Sequence, residues 1–96
     1  MSTPAPDEIA VWHNAAASRF EATVDGHLAM AEYGLADGRM VFTHTFVPPE
    51  LRGRGIADKL VRAALDFARA QNCRVVPQCS YVAVFIRRHP EFQALL

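Results

Sequence analysis

The sequence predicts a small α/β (α+β) domain on a mixed sheet: an antiparallel meander, a parallel β-α-β crossover, then a C-terminal helix. Three observations predict it. Segments rich in β-branched and aromatic residues follow one another closely, separated by Asp25-Gly26 and Asp37-Gly38. A long amphipathic segment comes next, over residues 56–71. A short β-branched run then follows that helix, so the strand–helix–strand order implies a right-handed crossover to a parallel neighbour.

Taken in order, residues 1–8 (MSTPAPDE) carry two prolines and little to bury. They are expected to form a disordered tail, leaving residues 9–96 as a single domain. Residues 9–13 (IAVWH) form a short apolar run suited to an edge strand, and residues 14–18 a turn or loop. Residues 19–24 alternate, with Phe20, Ala22 and Val24 on one face. Aspartate and glycine tolerate positive φ, so Asp25-Gly26 turns the chain into a second strand over 27–35. There Leu28, Met30 and Glu32 share a face. Asp37-Gly38 turns it again into residues 39–47 (RMVFTHTFV), the strongest strand signal. Period two places Met40, Phe42, His44 and Phe46 on one side of it.

Pro48-Pro49 stops that strand. The helix over 56–71 buries Ala57, Leu60, Val61, Ala64, Leu65 and Ala68 at helical spacing, with Asp58 in its first turn, and Asn72 terminates it. Residues 74–76 form a strand ended by Pro77. Residues 80–89 form a second helix with Tyr81, Val84, Phe85 and Arg88 on one face, closed by Pro90. Residues 91–96 add a turn that packs through Phe92 and Leu95.

With 96 residues, 51% of them apolar, the chain can bury one core. Ten basic residues balance ten acidic ones. A sequence-independent nucleic-acid binder needs a cation surplus to displace counterions, so that class is set aside, although Arg52, Arg54 and Lys59 form a local basic cluster. Cys73 and Cys79 match no Cys-x-x-Cys pattern, and Cys79, His44 and His89 lack ligand spacing, so no metal site is expected. No apolar run approaches the ~18–20 residues of a membrane span, and the first residues do not resemble a signal peptide. The expectation is a cytoplasmic protein with reduced thiols and no membrane partner.

The informative segment is residues 47–57 (VPPELRGRGIA), where a strand ends, a glycine-bearing loop follows and a helix begins. The first turn of a helix has N–H groups without internal partners. With the helix dipole they favour a phosphate-bearing ligand, and Gly53 and Gly55 allow close backbone approach. Arg52 and Arg54 add donors suited to phosphate. The glycines alone favour a plain tight turn whose geometry they merely allow. The loop is neither a Walker loop nor a Gly-x-Gly-x-x-Gly dinucleotide fingerprint.

Arg52-Gly53-Arg54-Gly55-Ile56-Ala57 is similar to the Gln/Arg-x-x-Gly-x-Gly/Ala signature of the GNAT superfamily of N-acetyltransferases, in the same place between a strand and a long helix. More closely, the chain resembles a minimal GNAT-like family through His44-Thr45-Phe46-Val47-Pro48, Val75-Val76-Pro77-Gln78-Cys79-Ser80-Tyr81 and His89-Pro90.

The resemblance implies acetyl-CoA as acetyl donor and an amine acceptor: a small amine, a lysine or a protein N-terminus. It implies that the coenzyme A diphosphate sits on the amides from Arg52 to Ala57, through Gly53, Arg54, Gly55 and Ile56. The pantetheine arm would lie between strands ending at Val47 and Val76, with a main-chain group near Val47 polarising the thioester carbonyl. Cys79 matches a proposed catalytic cysteine, with contact to the cofactor and plain packing as alternatives. His44 is a general-base candidate or a core histidine. Tyr81 lies where the superfamily often protonates the leaving thiolate, unless it packs on the sheet. Glu32 is a further base candidate acting through water.

The helices that fuller members carry between their first two strands are missing here, which leaves the acceptor site open and the chain a monomer or a homodimer. A non-catalytic acyl-CoA-binding or sensing module is the alternative to an enzyme.

Overall fold

The computed structural model describes residues 9–96, so the expected tail over residues 1–8 lies outside the described residues. Five strands form one sheet in the order β1-β2-β3-β4-β5: Trp12–Asn14, Arg19–Val24, His27–Ala36, Arg39–Phe46 and Arg74–Pro77. The first four are antiparallel in sequence, and β5 runs parallel to β4. Helix α1 (Ile56–Ala70) makes the crossover and α2 (Ser80–Arg88) follows β5. Short 3-10 turns cover Ala15–Ala17, Pro49–Leu51 and Pro90–Leu95. Among the described residues no helix is long and apolar enough to cross a membrane.

Both hairpins turn as the Asp-Gly pairs require. Asp25 and Gly26 have φ of 52° and 77°, and Asp37 and Gly38 have 51° and 75°. Two successive left-handed residues give the turn whose twist matches that of the flanking strands. Asn72, with φ 56°, ends α1. At the amino-terminal edge β1 starts later than the apolar run suggests. Ile9 and Val11 pack on the core, but ladder pairing begins at Trp12↔Glu21.

Helix α1 lies across one face of the sheet. It buries Ile56, Leu60, Val61, Ala64, Leu65 and Ala68 against Phe20, Ala22, Ala31, Met40 and Phe42. Each large side chain so buried contributes roughly 1.5–3 kcal/mol from the removal of apolar surface from water.

Helix α2 presents a different stripe from the one expected. Val82, Phe85 and Ile86 are buried, whereas Tyr81 is 40% exposed. Residues 81, 84, 85 and 88 share a face as well as 82, 85 and 86 do, so spacing does not choose between them. The choice is made by tertiary packing: α2 lies against β4, β5 and α1, and Phe85, common to both stripes, is buried beside Phe92 with ring centroids 6.0 Å apart.

The largest departure from simple alternation is in β4. Tyr33 pairs with Phe42 but Glu32 pairs with His44, which leaves Thr43 as an extra residue in a β-bulge. Met40 and Phe42 face α1 and are buried. Beyond Thr43 the parity inverts. Thr45 lies opposite buried Ala31 on the α1 side, while His44 and Phe46 turn to the other face and are exposed. The expectation that His44 and Phe46 share a face with Met40 and Phe42 is therefore corrected by one inserted residue.

Candidate functional site

The β4–β5 ladder ends early. Its last pair is Phe42↔Pro77, and the Cys79 amide then donates to the Phe42 carbonyl at 2.8 Å. Pro77 has no N–H to extend the ladder. Strand β4 continues to Phe46 without β5 beside it, so its main-chain groups on that edge have no strand partner. The gap opens into a cleft of about 440 Å³ lined by Thr45, Phe46, Val47, the Leu51–Gly53 turn, the first turn of α1 and Tyr81.

The loop closing the other side is shaped by its glycines and anchored by Leu51, which is buried. Gly53 and Gly55 adopt φ of 83° and 74°, a left-handed conformation costly for any residue with a Cβ. The first helical bond to form is from the Lys59 amide to the Gly55 carbonyl, at 3.2 Å. Apart from the Arg54 amide, which closes the turn over residues 52–53, the amides of residues 53–58 therefore meet no acceptor among the described residues. The Val47 amide also has no backbone partner there.

The two loop arginines are engaged within the protein. The Arg52 amide donates to the Pro49 carbonyl at 3.3 Å, and its guanidinium to the Val47 carbonyl at 3.2 Å. Arg54 forms an ion pair with Asp25 at 3.2 Å, in the β2–β3 turn. His27, next to that turn, approaches Glu50 at 4.0 Å. The hairpin thus holds the loop from outside the cleft. Positive character inside the cleft comes from the helix amides and from Arg52, and not from the Arg54 side chain, which does not line it.

Cys79 is the N-terminal cap residue of α2 and half-buried at the end of the gap. Its thiol donates to the Thr45 hydroxyl at 3.6 Å. Burial pushes the Cys79 thiol up. Hydrogen bonds from the Val82 amide, the Thr45 hydroxyl, the Tyr81 amide and the Thr45 main chain outweigh it and hold the thiol below the usual cysteine range. Cys73 is half-buried against the core, and both cysteines are free.

Tyr81, in the first turn of α2, donates its phenol hydrogen to the Asp58 carboxylate in the first turn of α1. Both side chains line the cleft. Burial, then the hydrogen bond to Asp58 and its negative charge, push the phenol above its ordinary range, with Arg88 opposing them weakly. The expectation that Tyr81 packs on the sheet is not met.

The expected site residues therefore divide between locations. Val47, Arg52, Gly53, Gly55, Ile56, Ala57 and Tyr81 converge on the cleft, and Cys79 adjoins it through Thr45. His44 does not, because the bulge turns it to the opposite face. Asp58 and Thr45 were missed as site residues. The position of Asp58 in the first helical turn was a usable signal, but it reads equally as a favourable interaction with the helix dipole. Thr45 was hidden by the inverted parity.

A mixed sheet with parted parallel strands, and a glycine loop whose bare amides open on the gap, matches a known class. The chain belongs to the GCN5-related N-acetyltransferases, whose family model matches residues 19–95. Among individual relatives it is similar to Protein NATD1 of Bos taurus, with 35% identity over 95 residues, spanning 93% of this chain and 84% of the bovine protein. It is also similar to Protein NATD1 of Mus musculus, with 33% identity over 85 residues, 85% of this chain and 77% of the murine protein. A shorter match, 40% identical over 47 residues, relates it to Protein NATD1 of Homo sapiens, covering 49% of this chain and 42% of the human protein.

Proposed function

We propose that this protein is an acetyl-CoA-dependent N-acetyltransferase acting on a primary amine. The observation that carries the proposal is the set of unpartnered amides at the start of α1, residues 55–58, facing a cleft whose other wall is the free edge of β4. Such amides at the start of a 15-residue helix suit a diphosphate. The free β4 edge suits an extended arm with amides of its own, as a pantetheine has.

In the proposed reaction the amine nitrogen attacks the thioester carbonyl carbon. A C–N bond forms, the C–S bond breaks and the thiolate leaves. In this reading the Val47 amide, which has no backbone partner, donates to the carbonyl oxygen as charge develops on it. Tyr81, held protonated by its surroundings, gives its proton to the departing thiolate and regains one from the nitrogen, which sheds a second proton as the amide forms. His44 lies on the far face of the sheet, from which an amine can approach without crossing the cofactor cleft, and there it takes the ammonium proton. In a variant of this route Cys79 accepts the acetyl group first and passes it on, which its lowered thiol pKa favours.

The test is release of free thiol from acetyl-CoA across a panel of amines and peptides, paired with thermal stabilisation by coenzyme A. A ligand at a hundred times its Kd adds about 2.7 kcal/mol. Turnover with some amine is expected. Stabilisation without turnover on any amine selects the acyl-CoA-binding module instead, and no stabilisation overturns both. Cys79→Ala separates the two routes, since full turnover in that variant removes the acyl-cysteine.

A further inference from the structure

The face of the sheet opposite α1 carries two cross-strand rows set by the observed register. One row runs Asn14, Arg19, Glu32, His44 across β1 to β4. The next runs Trp12, Glu21, Met30, Phe46. Trp12 is 53% exposed and Phe46 39%, and His44 is exposed between Phe46 and the bulge. Phe46 also lines the cofactor cleft, so the second row is continuous with the candidate catalytic gap.

The charges on this face do not cancel. Glu21 is 4% exposed and is met by the Arg19 guanidinium and, at 3.2 Å, by the Asn14 amide. Arg19 turns a further nitrogen to the Met30 sulfur at 3.7 Å. Glu32 is half-buried and forms no ion pair among the described residues. One carboxylate without an ion pair thus stands between His44 and an Arg19 already engaged by Glu21, flanked by aromatic and thioether surface.

Given the acetyltransferase reading above, on which this inference rests, we infer that this face docks the acceptor. The acceptor is the lysine side chain of a polypeptide with apolar residues beside that lysine. A single uncompensated carboxylate matches one ammonium and not a polycation. A lysine stem covers apolar surface while its head stays polar, and the Phe46 ring face attracts a cation. From β4 to β1 the row spans three strand spacings, about 14 Å. A lysine side chain reaches only roughly 6 Å. The Met30–Trp12 end therefore needs neighbouring residues of the same polypeptide to cover it. A second copy of this chain is the poorer occupant. It would bring another uncompensated Glu32, and its Arg19 is already held by Glu21.

Trp12 is the single tryptophan, so its emission reports on this face alone. The experiment titrates the protein with an N-terminally blocked peptide carrying one lysine between apolar residues, with the same peptide acetylated on that lysine, and with spermidine. The lysine peptide is expected to change Trp12 emission saturably. The acetylated peptide and the Glu32→Gln variant are each expected to bind about tenfold more weakly, as loss of a charged contact requires. Glu32→Asp keeps the charge and is expected to restore most of the binding, which a purely structural role for Glu32 does not predict.

Equal binding of the two peptides, no effect of Glu32→Gln, tighter binding of spermidine, or an emission change that follows protein concentration without ligand each overturns the inference. Coenzyme A stabilisation is measured in parallel. Its absence refutes the acetyltransferase reading without altering the peptide titration, so the two failures are distinguishable.

Discussion

The phenol of Tyr81 donates to the carboxylate of Asp58, and this bond joins the first turns of two helices across the mouth of the cleft. It places an anion among amides suited to a phosphate, and it spends that anion on keeping a neighbouring proton in place.

Asp58→Asn removes the charge and weakens the acceptor, so the Tyr81 phenol should titrate at lower pH than in the native protein. Burial still holds it above an ordinary tyrosine. A group whose folded pKa is raised contributes stability that is complete below the unfolded value, near 10, and is lost as pH rises through the folded one. The native protein should therefore lose more stability on the alkaline side than the variant does. Phenolate absorbance against pH, with urea midpoints at the same pH values, checks both statements.

Gly55→Ala should destabilise the fold by about 1–2 kcal/mol, the cost of a left-handed residue bearing a Cβ. A Cβ there meets no atom within 4 Å, so the effect is conformational and not a clash. Thermal stabilisation by coenzyme A should fall by more than this loss of stability explains, because relaxation of the loop turns the amides of residues 53–58 away from the cleft. Unfolding in urea with and without coenzyme A measures the two parts.

Cys79 should be alkylated with a pH midpoint below the usual cysteine range, and Thr45→Val should raise that midpoint by removing the hydroxyl that turns to donate to the sulfur once the thiol ionises. Peptide mass spectrometry after timed treatment with iodoacetamide follows Cys79 separately from Cys73. A midpoint unchanged by Thr45→Val would mean that the helix amides alone set the thiol's acidity.

His13 should make the fold sensitive to acid. Its ring stacks on Phe20 at 4.2 Å and bonds to the Tyr33 hydroxyl, and burial holds its pKa below the ordinary 6.5. A depressed pKa means that its contribution is present above 6.5 and is lost as pH falls through the lower folded value. Urea midpoints should decline over that window, and His13→Gln should flatten the decline. His13 ends the short apolar run of residues 9–13. Nothing in the local sequence shows that Phe20, Tyr33 and Phe67 close around it, since those three come from different elements.

Much of the fold was legible because its signals are local. Asp25-Gly26 and Asp37-Gly38 mark turns through the φ values they tolerate. Pro48-Pro49 stops a strand for want of a donor, and Leu60, Val61, Ala64 and Leu65 mark a helix by spacing. The glycine loop was legible for the same reason. The burial of Val82 and Ile86 in place of Tyr81 and Arg88 was not, because two helical faces offered the same spacing and packing against β4, β5 and α1 decided between them.

From the order of its residues alone this chain declares its elements, their sequence along the backbone and the loop at the start of α1, since each follows from the conformational limits of a few adjacent residues. Which side of the sheet a side chain occupies beyond residue 43 is settled elsewhere. Thr43 is an ordinary strand residue until β3 pairs around it, and that pairing sends Thr45 toward Cys79 and His44 to the open face. Strand parity is cumulative, so one bulge made by long-range pairing reassigns every position that follows it.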